Sequence, residues 1–351
     1  MTALWPRMPG EPPADRYVVR AGVLPDGWEG CPVFARPADV AEALRCRDAT
    51  SAARMAGCPE DEALFVAEDP NNRHDSMRFT DPGRLVLRRV ISRDWALRAA
   101  ARFRPVVGAA FDYLALRGEV DACVGDDLLP RLIRWVIFAP GVDSWADVAA
   151  QVPVRRAEGA QGDDLVSRVI RFAPQLSDQE VFVLSASSFG VAGGAVGFIG
   201  TLFTSTLAFL GADTDVQRRL RGNPSDIPVF VDEMARLKTT TPLVSRHVTA
   251  DTQIGGVDLP KGSAFIVATG EASVGGENGE RVNLSPRRHW GFSAGPYRCT
   301  GIHLVHATIQ VAVEEFLARI PEFRLCDERV VATRHPYGHT RFNSAPLAWD
   351  G

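Results

Sequence analysis

The sequence predicts a helix-rich, mainly α chain, and three observations carry that reading. Ile302, Val305, Ile309, Val313, Phe316 and Ile320 recur every three or four positions, the period of one helix face. The 32 residues from Val181 to Ala212 hold no charged side chain, as a long buried helix would. With 351 residues, 46% of them hydrophobic, the chain can bury a large core, and no repeat, low-complexity tract or charge run divides it.

Taken in order, the N-terminal MTALWPRMPGEPPADRY lacks an apolar h-region, so neither a signal peptide nor a membrane anchor is expected. Ser144-Trp-Ala-Asp-Val-Ala-Ala-Gln-Val152 predicts one short helix with Trp145, Val148 and Val152 on a common face. Val181–Ala212 is long enough to cross a bilayer. Its seven Ser or Thr, its lack of a Trp/Tyr belt and its unflanked start favour a buried helix instead. A net charge of −4 argues against nucleic acid as a partner. Six Cys without CxxC pairs indicate a reducing, cytoplasmic compartment, with Cys31, Cys46, Cys58, Cys123 and Cys326 as packing residues. The seven His show no paired metal-ligand spacing.

Phe292 to Gly301, FSAGPYRCTG, is the most informative stretch. It precedes the 302–320 helix pattern, so Cys299 falls where a helix begins. Unpaired N–H groups and a partial positive charge there favour thiolate over thiol. Gly295 and Gly301 have no Cβ and would let a flat cofactor lie on the backbone. A thiolate offered from such a loop suits the axial position of haem iron. In this pattern the chain resembles the cytochromes P450, whose signature is Phe-x-x-Gly-x-x-x-Cys-x-Gly with a basic residue before the Cys. Phe292, Gly295, Arg298, Cys299 and Gly301 fill it without a gap.

The resemblance extends from about Val33 to about Leu347. Glu233-Met-Ala-Arg236, alone an ordinary i,i+3 ion pair, precedes an apolar strand and a hairpin in the family's order. It implies a buried Glu233–Arg236 network with Arg281, in GERVNL, as third member. It also implies that Arg246 and His289 hold haem propionates. DPGRLVLRR is similar to the family's helix C, with Arg84 in the place of a propionate-binding His and Arg88 in that of an Arg. For Arg84 a solvated helix charge is the plain alternative. Arg88, Arg89, Arg98 and Arg102 would form a basic patch for an acidic electron-transfer protein, or simply a solvated face.

What the resemblance implies is the cytochrome P450 fold: mainly α with a small β-sheet region, one P450-like domain over 1–351. Haem b would sit between a distal helix at about 178–210 and the loop that supplies Cys299 as the iron's axial ligand. Two departures stand out. Where the family places an acid and an alcohol that deliver protons, this chain has Val191-Ala-Gly-Gly-Ala-Val-Gly-Phe198. In one register the two positions hold Ala195 and Val196, in the other Gly197 and Phe198. Neither register contains a proton carrier. Thr201, a turn further on, is a substitute unless its hydroxyl is satisfied by a backbone carbonyl. Gly193, Gly194 and Gly197 would admit substrate or an iron ligand close to the backbone. The second departure is the lid: Val142 to Gln161 leaves room for one helix, so the F/G-type pair is shortened or absent. An open distal face then calls for a bulky or carrier-protein-bound substrate, or a partner protein that covers it.

Three functions remain open on this reading. One is a P450 oxidoreductase of bacterial specialised metabolism, such as antibiotic biosynthesis, acting on a small-molecule or carrier-bound substrate. It would have non-standard proton delivery and a ferredoxin-type donor or peroxide. Another is a haem-thiolate dehydratase, isomerase or cyclase. The third is a non-catalytic auxiliary protein supporting a partner such as a glycosyltransferase. The retained Cys299 favours an enzyme.

Overall fold

Short polar side chains set several helix starts in the computed structural model, which describes residues 31–51, 81–187, 195–274, 282–334 and 340–350. Ser92, Ser144, Asp164 and Asp213 each accept a hydrogen bond from the backbone N–H three residues on, at Trp95, Asp147, Ser167 and Val216. Each cap satisfies a donor that the first helical turn leaves unpaired. At Ser144 the Asp147 carboxylate also accepts from the Ser144 N–H, which completes a capping box.

The elements follow as β1 (Val33–Phe34), α1 (Pro37–Ala43), β2 (Ala49–Ser51), α2 (Asp81–Val90), α3 (Arg93–Ala115), β3 (Glu119–Asp121), α4 (Val124–Ile137), α5 (Trp145–Ala157), α6 (Leu165–Phe172), α7 (Asp178–Ser187), α8 (Ala195–Ala212), α9 (Thr214–Gly222) and α10 (Ile227–Leu237). The chain continues as β4 (Val244–Val248), β5 (Thr252–Ile254), β6 (Val257–Leu259), β7 (Ala264–Val267), α11 (Thr269–Val274), α12 (Ile302–Arg319), β8 (Phe323–Leu325), β9 (Val331–Arg334), β10 (Thr340–Ser344) and β11 (Pro346–Trp349). The chain is mainly α with small sheets, as its sequence predicts.

The described residues fall into two compact units. One takes them from Met1–Arg73, Glu233–Cys299 and Ala332–Arg341. Its sheet has the order β1-β7-β4-β2. β1 runs parallel to β7, and β4 is antiparallel to both β7 and β2. Phe34, Val40, Leu44, Val248, Phe265 and Trp290 form the core on this sheet. Phe34 and Phe265 meet edge to face at 5.6 Å. β5 and β6 form the expected hairpin.

The other unit takes His74–Asp232, Thr300–Val331 and Phe342–Gly351. Its α12 packs along α3, and Val305, Ile309, Val313 and Phe316 are buried as their spacing predicts. Phe316 touches Phe111 at 5.1 Å and Phe323 at 5.3 Å, both edge to face. β11 lies between β3 and β8 in a second sheet. α5 begins where expected, continues through Pro153 to Ala157 and buries Val148 and Val152. Trp145, the third predicted member of that face, is 39% exposed and sets its ring against Phe182 at 5.8 Å.

α7 and α8 occupy the two ends of the uncharged Val181–Ala212 stretch, and residues 188–194 lie outside the described residues. No described helix is long and apolar enough to cross a membrane. α4 and α8 approach so closely at Gly200 that a Cβ there would lie 2.7 Å from the Asp126 Cα. Thr204, one turn later, hydrogen-bonds the Asp126 carboxylate at 2.8 Å. Gly200→Ala should therefore destabilise the protein. The gain in helix propensity, about 1 kcal/mol at most, is smaller than the 1–3 kcal/mol typical of overpacking against backbone, roughly estimated. A fall in chemical-denaturation midpoint with unchanged slope is the expected result.

Candidate functional site

The Cys299 loop is built by local backbone hydrogen bonds. Ser293 N–H donates to Trp290 O at 2.7 Å, and Cys299 N–H donates back to Phe292 O at 2.9 Å, which closes the loop. Between them Gly295–Tyr297 makes one 3-10 turn. Gly295 has φ +63°, and a Cβ would lie 2.3 Å from the carbonyl oxygen of Leu44. Neither the dihedral nor the space admits a side chain. This approach to the Leu44–Arg45 backbone accounts for the glycine without a cofactor face. Cys299 is half-buried, forms no disulfide and lies three residues before α12. Gly301 is the N-cap of that helix and offers no side-chain acceptor. Phe292 is half-buried and Arg298 exposed.

Two basic side chains belong to the same unit. Arg246, in the β4 strand, is 4% exposed; its guanidinium donates to Ser245 O at 2.7 Å and lies 4.9 Å from the centroid of the Tyr297 ring. The Tyr297 hydroxyl in turn hydrogen-bonds Thr50 Oγ1 at 2.9 Å. Sequence reasoning missed Tyr297, although it is the aromatic directly before the basic residue of the loop. His289 Nδ1 accepts from Gly291 N–H at 3.1 Å. That bond leaves Nε2 as the ring's donor.

The loop is held from α10. Arg236 and Glu233 form a bidentate pair, Nε to Oε2 and Nη2 to Oε1, both at 2.7 Å, with each side chain 2% exposed. Arg236 Nη1 donates to Ser273 O at 2.8 Å, and Glu233 Oε1 accepts from Asn283 N–H at 2.9 Å. Ser273 Oγ accepts from Trp290 N–H at 3.0 Å. A continuous path of hydrogen bonds thus runs from the ion pair through Ser273 to the residue that opens the Cys loop. Arg281, the expected third member, lies outside the described residues. The contacts of Arg236 with Ser273 O and of Glu233 with Asn283 N–H were not legible, because main-chain groups leave no residue-type signal.

In the helical unit Arg84 is buried and Arg88 exposed, both on α2. Gly193 and Gly194 lie outside the described residues, Gly197 is within α8, and Thr201 is half-buried on that helix. Arg98 and Arg102, expected in a free basic patch, both bond Asp163.

No family model matches the chain. Cytochrome P450 130 of Mycobacterium tuberculosis is 29% identical over 178 residues, 44% of each chain, so the chain spans less than half of that relative. The mycinamicin IV hydroxylase/epoxidase of Micromonospora griseorubida is 26% identical over 319 residues, 74% of this chain and 77% of its own. Cytochrome P450-SU2 of Streptomyces griseolus is 23% identical across 96% of this chain and 98% of its own. Among solved structures, ligand-free CYP105P1 superimposes with TM-score 0.75 at 20% identity, covering 91% and 90% of the two chains. P450BioI, solved with a fatty-acyl-loaded acyl carrier protein, gives 0.74 at 17% identity, covering 91% and 92%. The chain has the cytochrome P450 fold, and the proteins it resembles in sequence are cytochromes P450.

That fold and those relatives imply haem b, and the donor set of this chain fits it. A thiol on a closed loop suits iron. A guanidinium as buried as Arg246 suits a carboxylate, since a cation withdrawn from water is stabilised by an anion in a bidentate geometry. His289 Nε2 adds a donor. Cys299, Arg246 and His289, all in the sheet unit, would hold the group.

Removing one partner of the α10 pair strands a buried charge. Arg236→Met should cost about 3–5 kcal/mol of stability, far more than an exposed pair. Chemical denaturation of the variant, read beside its haem content, measures this loss.

Proposed function

We propose that this P450 is a haem-thiolate oxidoreductase of bacterial specialised metabolism, acting on a bulky small-molecule or carrier-protein-bound substrate. The observation that carries the reading is Cys299 held in a closed loop by its own backbone and by the Glu233–Arg236 network. The printed names of similar proteins support the substrate class: a hydroxylase/epoxidase acting on mycinamicin IV, and a P450 complexed with an acyl-loaded carrier protein. A cytoplasmic setting and a ferredoxin-type electron donor complete the proposal.

Each residue has a task on this reading. Bound haem would supply an iron centre for oxidative chemistry, with electron density donated by its thiolate ligand. Cys299 provides that thiolate, and the loop fixes its direction. Arg246 and His289 orient the cofactor through its carboxylates, and Tyr297 restrains the Arg246 guanidinium. Glu233 and Arg236 hold the loop without touching the reacting atoms. On α8 neither Ala195 and Val196 nor Gly197 and Phe198 can carry a proton. Protons would then come through water, the substrate or Thr201. α5, the one helix between α4 and α6 among the described residues, leaves Trp145 and Val154 exposed for a large substrate or a covering partner.

The first test is the carbon monoxide difference spectrum of the dithionite-reduced protein. A red-shifted, thiolate-type Soret band is expected, and Cys299→Ser should abolish it while the fold persists by circular dichroism. An unchanged spectrum in the variant removes Cys299 from its role. A second test restores the missing relay with Ala195→Asp/Val196→Thr, and separately with Gly197→Asp/Phe198→Thr. One of the two pairs should raise the ratio of product formed to electrons consumed. No gain from either would place the proton source elsewhere.

A further inference from the structure

The ends of α2 and α6 carry a cluster of guanidinium groups, of which Arg168 and Arg171 have no part in the P450 reading. Arg89, Val90, Arg168, Arg171 and Phe172 line a surface pocket of about 140 Å³. Among the described residues, the charge around it does not balance. Arg98, Arg102 and Arg168 all hydrogen-bond to one carboxylate, Asp163, at 3.0–3.1 Å. Asp164, its neighbour, is engaged by Arg155 and Ser167 instead. Asp94 stands near Arg98 on α3. Arg89 and Arg171 therefore add to a surplus of positive charge.

Besides the bond from Arg168 to Asp163, neutral groups position the three guanidiniums that line the pocket. Arg168 Nε donates to Val90 O at 2.8 Å, and the group lies 5.5 Å from the Trp95 ring centroid. Arg171 donates to the carbonyls of Ala160 and Gly162. Arg89 lies over the Phe172 ring at 5.8 Å. Side chains already fixed by such contacts lose little entropy when an anion arrives. Burial holds the Arg168 guanidinium below the usual arginine range, and the nearby positive charges of Arg98 and Arg171 push the same way against Asp163.

We propose that this pocket binds a phosphate-class oxyanion, either free or as the phosphomonoester of a larger molecule. Several converging planar forks favour a tetrahedral dianion over a single carboxylate. The exposed face of Phe172, 48% accessible, offers an apolar wall to whatever organic group the phosphate carries. The site is formed by α2, α6 and the turn before α6, and it needs no haem.

Isothermal titration of the haem-loaded full chain with inorganic phosphate, at constant ionic strength, tests the proposal. Saturable one-to-one binding is expected. Arg171→Gln should weaken it about tenfold, the worth of one charge-assisted hydrogen bond. Arg89→Glu, which changes only an exposed side chain, should abolish it. The carbon monoxide difference spectrum should be unchanged in both. Phenyl phosphate that binds more tightly than phosphate identifies a phosphomonoester of an organic molecule as the ligand; equal or weaker binding identifies free phosphate. Binding that does not saturate, or that Arg89→Glu leaves unaltered, overturns the site.

Discussion

The buried Glu233–Arg236 pair is the constraint on which the sheet unit depends. Two opposite charges taken out of water are stable there only if their geometry is near ideal and their remaining donors and acceptors are used. Here the pair is bidentate, the third guanidinium nitrogen reaches Ser273 O, and the carboxylate accepts from Asn283 N–H. Those demands fix the C-terminal part of α10 from Glu233, α11 and the chain at 283 relative to one another, all within one unit. Ser273, so placed, receives Trp290 N–H. A requirement of electrostatics in the interior thereby becomes the positioning of the Cys loop.

How much of this was legible in the sequence follows from which atoms do the work. Periodic apolar side chains announced α12, and a helix-sized segment with a Ser144 start announced α5. The Cys loop was legible because its glycine answers a steric demand that no other residue meets: Gly295 sits at positive φ against the Leu44 backbone. Long-range packing against Leu44 and Arg45, which the sequence does not show, supplies a further reason for that glycine. Contacts made by main-chain groups at Ser273 and Asn283 left no trace in residue type. Arg98 and Arg102 read as a free basic patch because Asp163 lies more than sixty positions away along the chain. Exposed-looking charges cannot be separated into free and paired by spacing alone.

The retained loop and the missing acid–alcohol pair are not in conflict, because they rest on different forces. Cys299 is positioned by hydrogen bonds within 290–299 and by the ion pair behind them, all in the sheet unit. The residues in question on α8 belong to the helical unit, where apolar packing and the close approach to α4 at Gly200 stabilise the helix. Replacing an acid by Ala or Gly there relieves the burden of a polar group in an uncharged helix and costs the Cys loop nothing. Thiolate chemistry and proton supply are thus separable by mutation on the proposed reading. On the proposed reading, the chain keeps the part that defines the reacting centre and leaves proton delivery to water, to Thr201 or to the substrate.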